Sequence, residues 1–222
     1  EKLYLVEPEN YPSLEAISRS VGAVNILDDA VVVENLDQAI AGCVWVAGTS
    51  ARLRTIEWPI LEPRDCVQKA LEYLNGGGDE SDGGGEIAIV FGRENSGLTN
   101  EELEKCNVLL HIPTNPDFSS LNIASAVQVV CYEFRMALRS EKIKVPKGNK
   151  HRFDVLADAS KMDSMYNHLY ESLDHLKFFG DHNPDVVMRR LKGLFNRAST
   201  TKREVSIIRG ICSAMQGKKL PR

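Results

Sequence analysis

Residues 87–106 read IAIVFGRENSGLTNEELEKC, and residues 111–134 read HIPTNPDFSSLNIASAVQVVCYEF. Each is a short apolar run, a polar loop marked by glycine or proline, and then a stretch of helical period. In the first, Ile87, Ala88, Ile89, Val90 and Phe91 have strand length without alternation, the pattern of a strand covered on both faces. Gly92 breaks the run, and Arg93, Glu94, Asn95 and Ser96 follow before Gly97. Thr99 stands three residues before Glu102, a capping-box spacing that predicts a helix through Cys106. In the second, a short strand over 109–112 is closed by Pro113. The polar loop 114–120 leads into a helix with Ile123, Val127, Val130, Cys131, Phe134 and Leu138 on its apolar stripe and Ser119 or Ser120 as N-cap. One such loop alone reads equally well as an ordinary turn. Two in succession, each with polar side chains at a strand end, favour a site, because open α/β sheets bind ligands there.

Working outward, strands are expected over 3–6, 31–33 and 44–47. Helices are expected over 14–21, capped by Ser13 and closed by Gly22, over 36–40, and over 66–74 with Asp65 or Arg64 near the start. The alternation predicts a mainly parallel sheet covered on both faces. Residues 75–86 (NGGGDESDGGGE) lack the Lys and Ser/Thr of a phosphate-binding loop, and their carboxylates would repel phosphate. They read as a flexible surface insertion. Residues 139–150, charged and carrying Pro146 and Gly148, read as a linker.

Three amphipathic helices follow. The first, over 161–178 with Ser160 as cap, places Met162, Met165, Tyr166, Leu169, Leu173 and Leu176 on one stripe. The second starts at Asn183-Pro184 with Val187, Leu191, Leu194 and Phe195 inside. The third opens on a Thr201–Glu204 capping box with Val205, Ile208, Ile211, Cys212 and Met215 inside. Together they predict a small bundle.

Charge divides the chain. Residues 1–138 carry 9 Lys/Arg against 22 Asp/Glu, and residues 139–222 carry 18 against 9. A basic appendage on an acidic body is what polyanion binding produces, and it favours RNA over a merely solvated surface. On the second bundle helix, Arg189, Lys192 and Arg197 project away from the apolar face and Arg190 lies at its border. Lys202, Arg203 and Arg209 continue the positive charge, which exceeds what nearby acids engage. The five cysteines are scattered without a C-x-x-C pair, arguing against zinc and disulfides and for a reducing cytoplasm. His151, His168, His175 and His182 lack the short spacing of zinc ligands, so no metal is expected. No apolar run is long enough to span a bilayer, so no membrane association is expected.

FGRENSGLTNEEL (91–103) and IPTNPDFSSLN (112–122), with GTSAR at 48–52, resemble the three cofactor-binding loops of the SPOUT superfamily of trefoil-knotted RNA methyltransferases. The resemblance is closest to its TrmH/TrmJ-type ribose 2′-O-methyltransferases and extends over nearly the whole chain. It implies an α/β fold, a mainly parallel sheet with a C-terminal deep trefoil knot, followed by the small helical bundle. It implies a methyltransferase domain over 1–138, the linker, and a basic tRNA-binding domain over 151–222. S-adenosylmethionine would be held by Thr49, Ser50 and Ala51, by Gly92, and by Ile112, Ser119, Ser120 and Leu121. Small residues and glycine suit an apolar slot in which backbone groups read adenine, although such a slot suits another nucleotide equally.

The family's main candidate for activating the ribose hydroxyl is an arginine in an N-x-x-x-x-x-A-R motif on the helix after its first strand. This sequence lacks that motif and is expected to open at the second strand. Glu94, Ser120 and Asn122 match supporting positions that orient substrate and loops, and Arg93 is a candidate for phosphate contact. Arg52 suits a structural ion pair as well as the site. The resemblance also implies a homodimer and, from the C-terminal bundle, position 32 of the tRNA anticodon loop as substrate. Alternatives are ribosomal RNA methylation and RNA binding without catalysis.

Overall fold

A computed structural model describes residues 2–51, 58–76, 85–115, 117, 120–139, 155–181 and 183–217. The chain forms two compact units, Glu1–Ala41 and Gly42–Arg222. In the first, β1 (Tyr4–Val6) pairs in parallel with β2 (Val31–Val33), Tyr4 opposite Val31. Between them lie α1 (Leu14–Ser20) and α2 (Val24–Asp28), and α3 (Leu36–Ile40) follows. Ser13 and Asn35 cap α1 and α3, their side-chain oxygens accepting the N–H groups of Ala16 and Gln38. The sequence reading is corrected at the end of α1. Val21, not Gly22, takes the positive φ of 50°, because the chain must reverse in time to begin α2, a five-residue helix too short to display a period.

The second unit is built on four parallel strands, β3 (Cys43–Thr49), β4 (Ile60–Leu61), β5 (Glu86–Val90) and β6 (Val108–Leu110), in the order β4-β6-β3-β5. Neighbouring residues of a strand face opposite ways, and both faces here are covered. Trp45, Ala47, Val108 and Leu110 pack with Cys66 and Ala70 of α4 (Pro63–Gly76) and Val130 of α6 (Ile123–Arg139). On the other face Leu109 meets Trp58, Leu98 and Leu103. Trp45 is 1% exposed and stacks on Tyr73 at 5.6 Å; burying one such side chain contributes roughly 1.5–3 kcal/mol.

The reading of a strand covered on both faces holds for β5, with Ile87 and Ile89 packed on one core and Val90 on the other, although its edge is less enclosed. Among the described strands β5 pairs with β3 alone, and Ile87–Val90 are half-buried. Asn75 and Gly76, read as insertion, complete α4, and Glu86 begins β5. Residues 77–84 lie outside the described residues, as do 140–150 of the expected linker.

α5 (Asn100–Glu104) has the capping box. It stops at Glu104, short of Cys106, because the N–H groups of Lys105 and Cys106 turn to the carbonyls of Glu102 and Leu103. α6 begins later than expected. Asn122, not a serine, is its cap, Oδ1 accepting the Ala124 N–H at 2.9 Å. Its apolar stripe is also only half inside: Val130 is buried and Phe134 packs beside it, while Val127, Cys131 and Leu138 are exposed.

The bundle comprises α7 (Ala159–His175), α8 (Pro184–Arg197) and α9 (Lys202–Met215). Asp158 caps α7 in place of Ser160, accepting the Lys161 N–H at 2.9 Å. Asn183 and the Thr201–Glu204 box cap the others as read. Met165, Tyr166 and Leu173 form the core with Met188 and Val205. Leu176, Leu194 and Ile211, expected inside, are exposed. Met188 takes the centre of the inner face of α8, and six residues at about 100° each put Leu194 some 120° away.

The bundle docks on the turn after α5. Asn196 donates to the carbonyl of Glu104 at 3.3 Å, and Asn107 donates to the carbonyl of Asn196 at 3.3 Å. Tyr166 steadies the Asn196 side chain, donating to its Oδ1 at 2.8 Å. No described helix is long and apolar enough to cross a membrane.

Candidate active site

β5 and β6 flank β3, so the loops leaving the carboxyl ends of all three strands converge. They border a cavity of about 230 Å³. Thr49, Ser50 and Ala51 line it from the first loop, the segment from Phe91 to Leu98 from the second, and Ile112, Ser120 and Leu121 from the third. Every described residue read as a cofactor contact therefore faces one cavity. Ser119 and Arg52 lie outside the described residues.

The first loop is held by its neighbours. Thr49 Oγ1 donates to the Val90 carbonyl at 3.0 Å, and the Ser50 N–H donates to Leu110 O at 3.0 Å. The Ser50 carbonyl accepts from His111 Nδ1 at 3.1 Å. Sequence reasoning does not single out His111, because one histidine beside a strand end carries no motif.

The second loop is a tight turn. Arg93 and Gly97 exchange backbone hydrogen bonds at 3.2 and 2.8 Å, and Gly97 sits at φ 69°, where a side chain is strained. The requirement at Gly92 has a different cause from the one read in the sequence. A Cβ there would lie 2.2 Å from Gly97 C and 2.3 Å from Leu98 N. The close approach is made by the loop's own backbone.

Arg93, read as a phosphate contact, pairs with both carboxylate oxygens of Glu102 at 3.1 Å. Glu102 also accepts the Thr99 N–H at 2.7 Å, so the guanidinium is tied to the start of α5. Glu94 turns instead to the third loop, its Oε1 accepting from Asn122 Nδ2 at 2.9 Å. Asn122 thus caps α6 with one end of its amide and links the second and third loops with the other. Ser120 lines the same cavity.

Beneath the loops, burial first and the Glu102 charge second push the Cys106 thiol up to about 12. Burial likewise pushes Cys66 up to about 12. These thiols stay protonated near neutrality and supply no thiolate nucleophile. Among the described residues no group of three or more His, Cys, Asp or Glu could hold a metal ion.

Two of the cations on α8 are engaged within the fold. Arg189 pairs through Nε with Glu104 Oε1. The Lys192 ammonium sits 6.0 Å over the Tyr166 ring. Arg190, Arg197 and Arg203 are exposed, and Lys202 is half-buried.

The sequence pattern of the SpoU rRNA Methylase family matches residues 1–132, and that of the C-terminal domain of tRNA methyltransferase TrmJ matches residues 160–222. The tRNA (cytidine/uridine/adenosine-2′-O-)-methyltransferase TrmJ of Pseudomonas aeruginosa (strain UCBPP-PA14) is 43% identical over 220 residues, covering 97% of this chain and 83% of that protein. The tRNA (cytidine/uridine-2′-O-)-methyltransferase TrmJ of Photorhabdus laumondii is 43% identical over 214 residues, covering 96% and 85%. The crystal structure of TrmJ from Z. mobilis ZM4 superposes with a TM-score of 0.78 at 27% identity, covering 96% of this chain and 86% of that one. A probable methylase family protein from Haemophilus influenzae Rd KW20 superposes with a TM-score of 0.57 at 40% identity, covering 97% and 84%. The chain belongs to the SpoU rRNA methylase family, with a TrmJ C-terminal domain behind its methylase domain.

Proposed function

We propose that the protein is a tRNA (cytidine/uridine-2′-O-)-methyltransferase that binds S-adenosylmethionine in the three-loop cavity and acts on position 32 of the anticodon loop. The observation that carries this is the convergence of Thr49–Ala51, Gly92 and, from the third loop, Ile112, Ser120 and Leu121 on one cavity at the carboxyl ends of β3, β5 and β6. The residues fit the cofactor. Phe91, Leu98, Ile112 and Leu121 give apolar walls, and Thr49, Ser50 and Ala51 are small enough for backbone groups to reach a base. Charge separates this ligand from a nucleoside phosphate. Glu102 neutralises Arg93 while the Glu94 carboxylate remains at the cavity, a balance that favours a cation over a phosphate.

When bound, S-adenosylmethionine supplies a methyl group on a positively charged sulfur, open to attack by an oxygen. The chain's own residues orient. Asn122 holds Glu94 in place, and through it the second loop against the third. Ser120 and Leu121 line the cavity from the third loop.

tRNA is held by the basic bundle, chiefly at Arg190 and Arg197 of α8, with Arg203 and Lys202 on α9. The TrmJ C-terminal domain favours tRNA over ribosomal RNA. The exposed apolar residues Val127, Tyr132, Met136 and Leu138 on α6 support a second copy as partner. The scattered free cysteines suit the cytoplasm.

The test is a map of ribose methylation in tRNA from a strain lacking the gene. Loss of the 2′-O-methyl group at position 32, restored by the gene, is expected. An unchanged map would refute the assignment.

A further inference from the structure

We infer that His111 is a positioning residue for the cofactor, its ring holding the first loop open beside the third; this rests on the cavity's reading as the S-adenosylmethionine site.

The argument starts from the sheet. β3 and β6 are parallel, with Thr49 opposite Leu110. Ser50 and His111 are therefore the first residues past the paired register. The ladder makes one further rung, from the Ser50 N–H to Leu110 O at 3.0 Å. In a continued parallel ladder the next rung would run from the N–H of Ile112 to the carbonyl of Ser50. That rung would zip the strands shut where Ser50 and Ile112 both line the cavity. Instead the Ser50 carbonyl accepts from the His111 ring at 3.1 Å. A side chain replaces a backbone donor. The two strands can then part while the Ser50 peptide stays fixed at both its N–H and its C=O.

His111 is itself anchored on the far side, its N–H donating to Leu61 O at 2.9 Å across to β4. A carbonyl can only accept, so Nδ1 must carry a hydrogen. The contact therefore requires a donor at the Nδ1 position, and the identity of the other ring nitrogen does not enter. An asparagine at 111 can place its amide nitrogen near that position. A glutamine instead reaches the Nε2 position, and alanine reaches neither.

Calorimetric titration with S-adenosylhomocysteine of the wild-type protein and of the H111A, H111N and H111Q variants tests this, with the melting temperature and tRNA affinity measured for each. One hydrogen bond that orders a ligand loop corresponds to about a five-fold change in Kd. His111→Ala and His111→Gln should each bind about five-fold more weakly, His111→Asn should recover to within about two-fold, and tRNA affinity should stay unchanged. Wild-type affinity in H111A would overturn the inference. So would equal losses in all three variants tracking a fall in melting temperature, because the ring would then act through packing. A wild-type protein that binds no S-adenosylhomocysteine would instead refute the reading of the cavity, and is told apart by the absence of any heat before substitution.

Discussion

Asn122 makes two bonds with one amide, and they can be separated. Oδ1 caps α6 through the Ala124 N–H at 2.9 Å, and Nδ2 reaches Glu94 Oε1 at 2.9 Å. An N-cap contributes about 1 kcal/mol. The amide–carboxylate bond is charge-assisted, but both residues are exposed, so it contributes about 0.5–1 kcal/mol. Asn122→Ala should lose both, about 1.5–2 kcal/mol, which lowers the melting temperature by about 3–8 °C in a chain of this size. Asn122→Ser keeps a capping oxygen and loses only the link to Glu94, so its stability should fall by about 1 kcal/mol at most. If the link holds the second and third loops in register for the cofactor, Asn122→Ser and Glu94→Ala should each weaken S-adenosylhomocysteine binding by about two- to five-fold. Because each removes the same bond, the double variant should be little worse than either single one. The assay is a double-mutant cycle with calorimetric Kd values, and the expected coupling is about 0.5–1 kcal/mol. Strictly additive losses would show that the two residues act independently, and the linkage between the loops would have to be abandoned.

Other consequences follow from the same geometry. Gly92→Ala should weaken S-adenosylhomocysteine binding more than about ten-fold, with a loss of stability of roughly 1–3 kcal/mol, since its Cβ would meet backbone atoms at 2.2 and 2.3 Å that cannot swing aside; an affinity within two-fold of wild type would contradict the packing of that turn. Replacing Arg190 and Arg197 with Gln should reduce the salt dependence of tRNA binding by about 0.7–0.9 in log–log slope for each phosphate that is no longer neutralised, and filter binding across a potassium chloride series that gives an unchanged slope would move RNA recognition elsewhere. Hydrogen bonds from the Thr201 backbone N–H, then from its hydroxyl, hold the Glu204 carboxyl below its ordinary value of 4.5. A carboxyl lowered in the folded state stabilises it above the unfolded value and loses that contribution as pH falls through the folded one. Urea unfolding between pH 3 and 6 should therefore show a flatter acid limb in Glu204→Gln, and superimposable limbs would count against the cap's charge.

What can be read from the residues alone is whatever is encoded locally. The Thr99–Glu102 and Thr201–Glu204 capping boxes span four residues each and both appear as read. The strand–loop–helix rhythm depends on periodicity and on glycine or proline punctuation, and the parallel sheet and the three bundle helices follow from it. What fails depends on distant partners. β4 is two residues long and exists because β6 lies beside it. The apolar stripe of α6 shows which residues are hydrophobic but not which neighbour covers them, so Val127 and Leu138 read as inside and lie outside. Asn122 reads as a site residue and serines as the cap, whereas the asparagine itself caps α6.

The charges show the limit most sharply. A helical wheel turns Arg189 away from the apolar face and puts Arg190, about 100° round, at its border, so it marks Arg189 as the freer of the two. The fold reverses this, because the end of α5 brings Glu104 to Arg189, 85 residues further along the chain. That pairing belongs to the same contact in which Asn196 reaches the Glu104 carbonyl and Asn107 reaches Asn196. Glu104 ends the helix whose other end begins directly after the second cavity loop, at Thr99. The short α5 is therefore shared: its first turn anchors Arg93 through Glu102, and its last residue anchors the bundle through Arg189 and Asn196. A phosphate drawn to Arg189 must compete with the Glu104 carboxylate, whereas one drawn to Arg190 or Arg197 meets an exposed guanidinium. Counting cations on the bundle thus overstates the charge left for a phosphate, since Arg189 is committed to the contact between α8 and the end of α5.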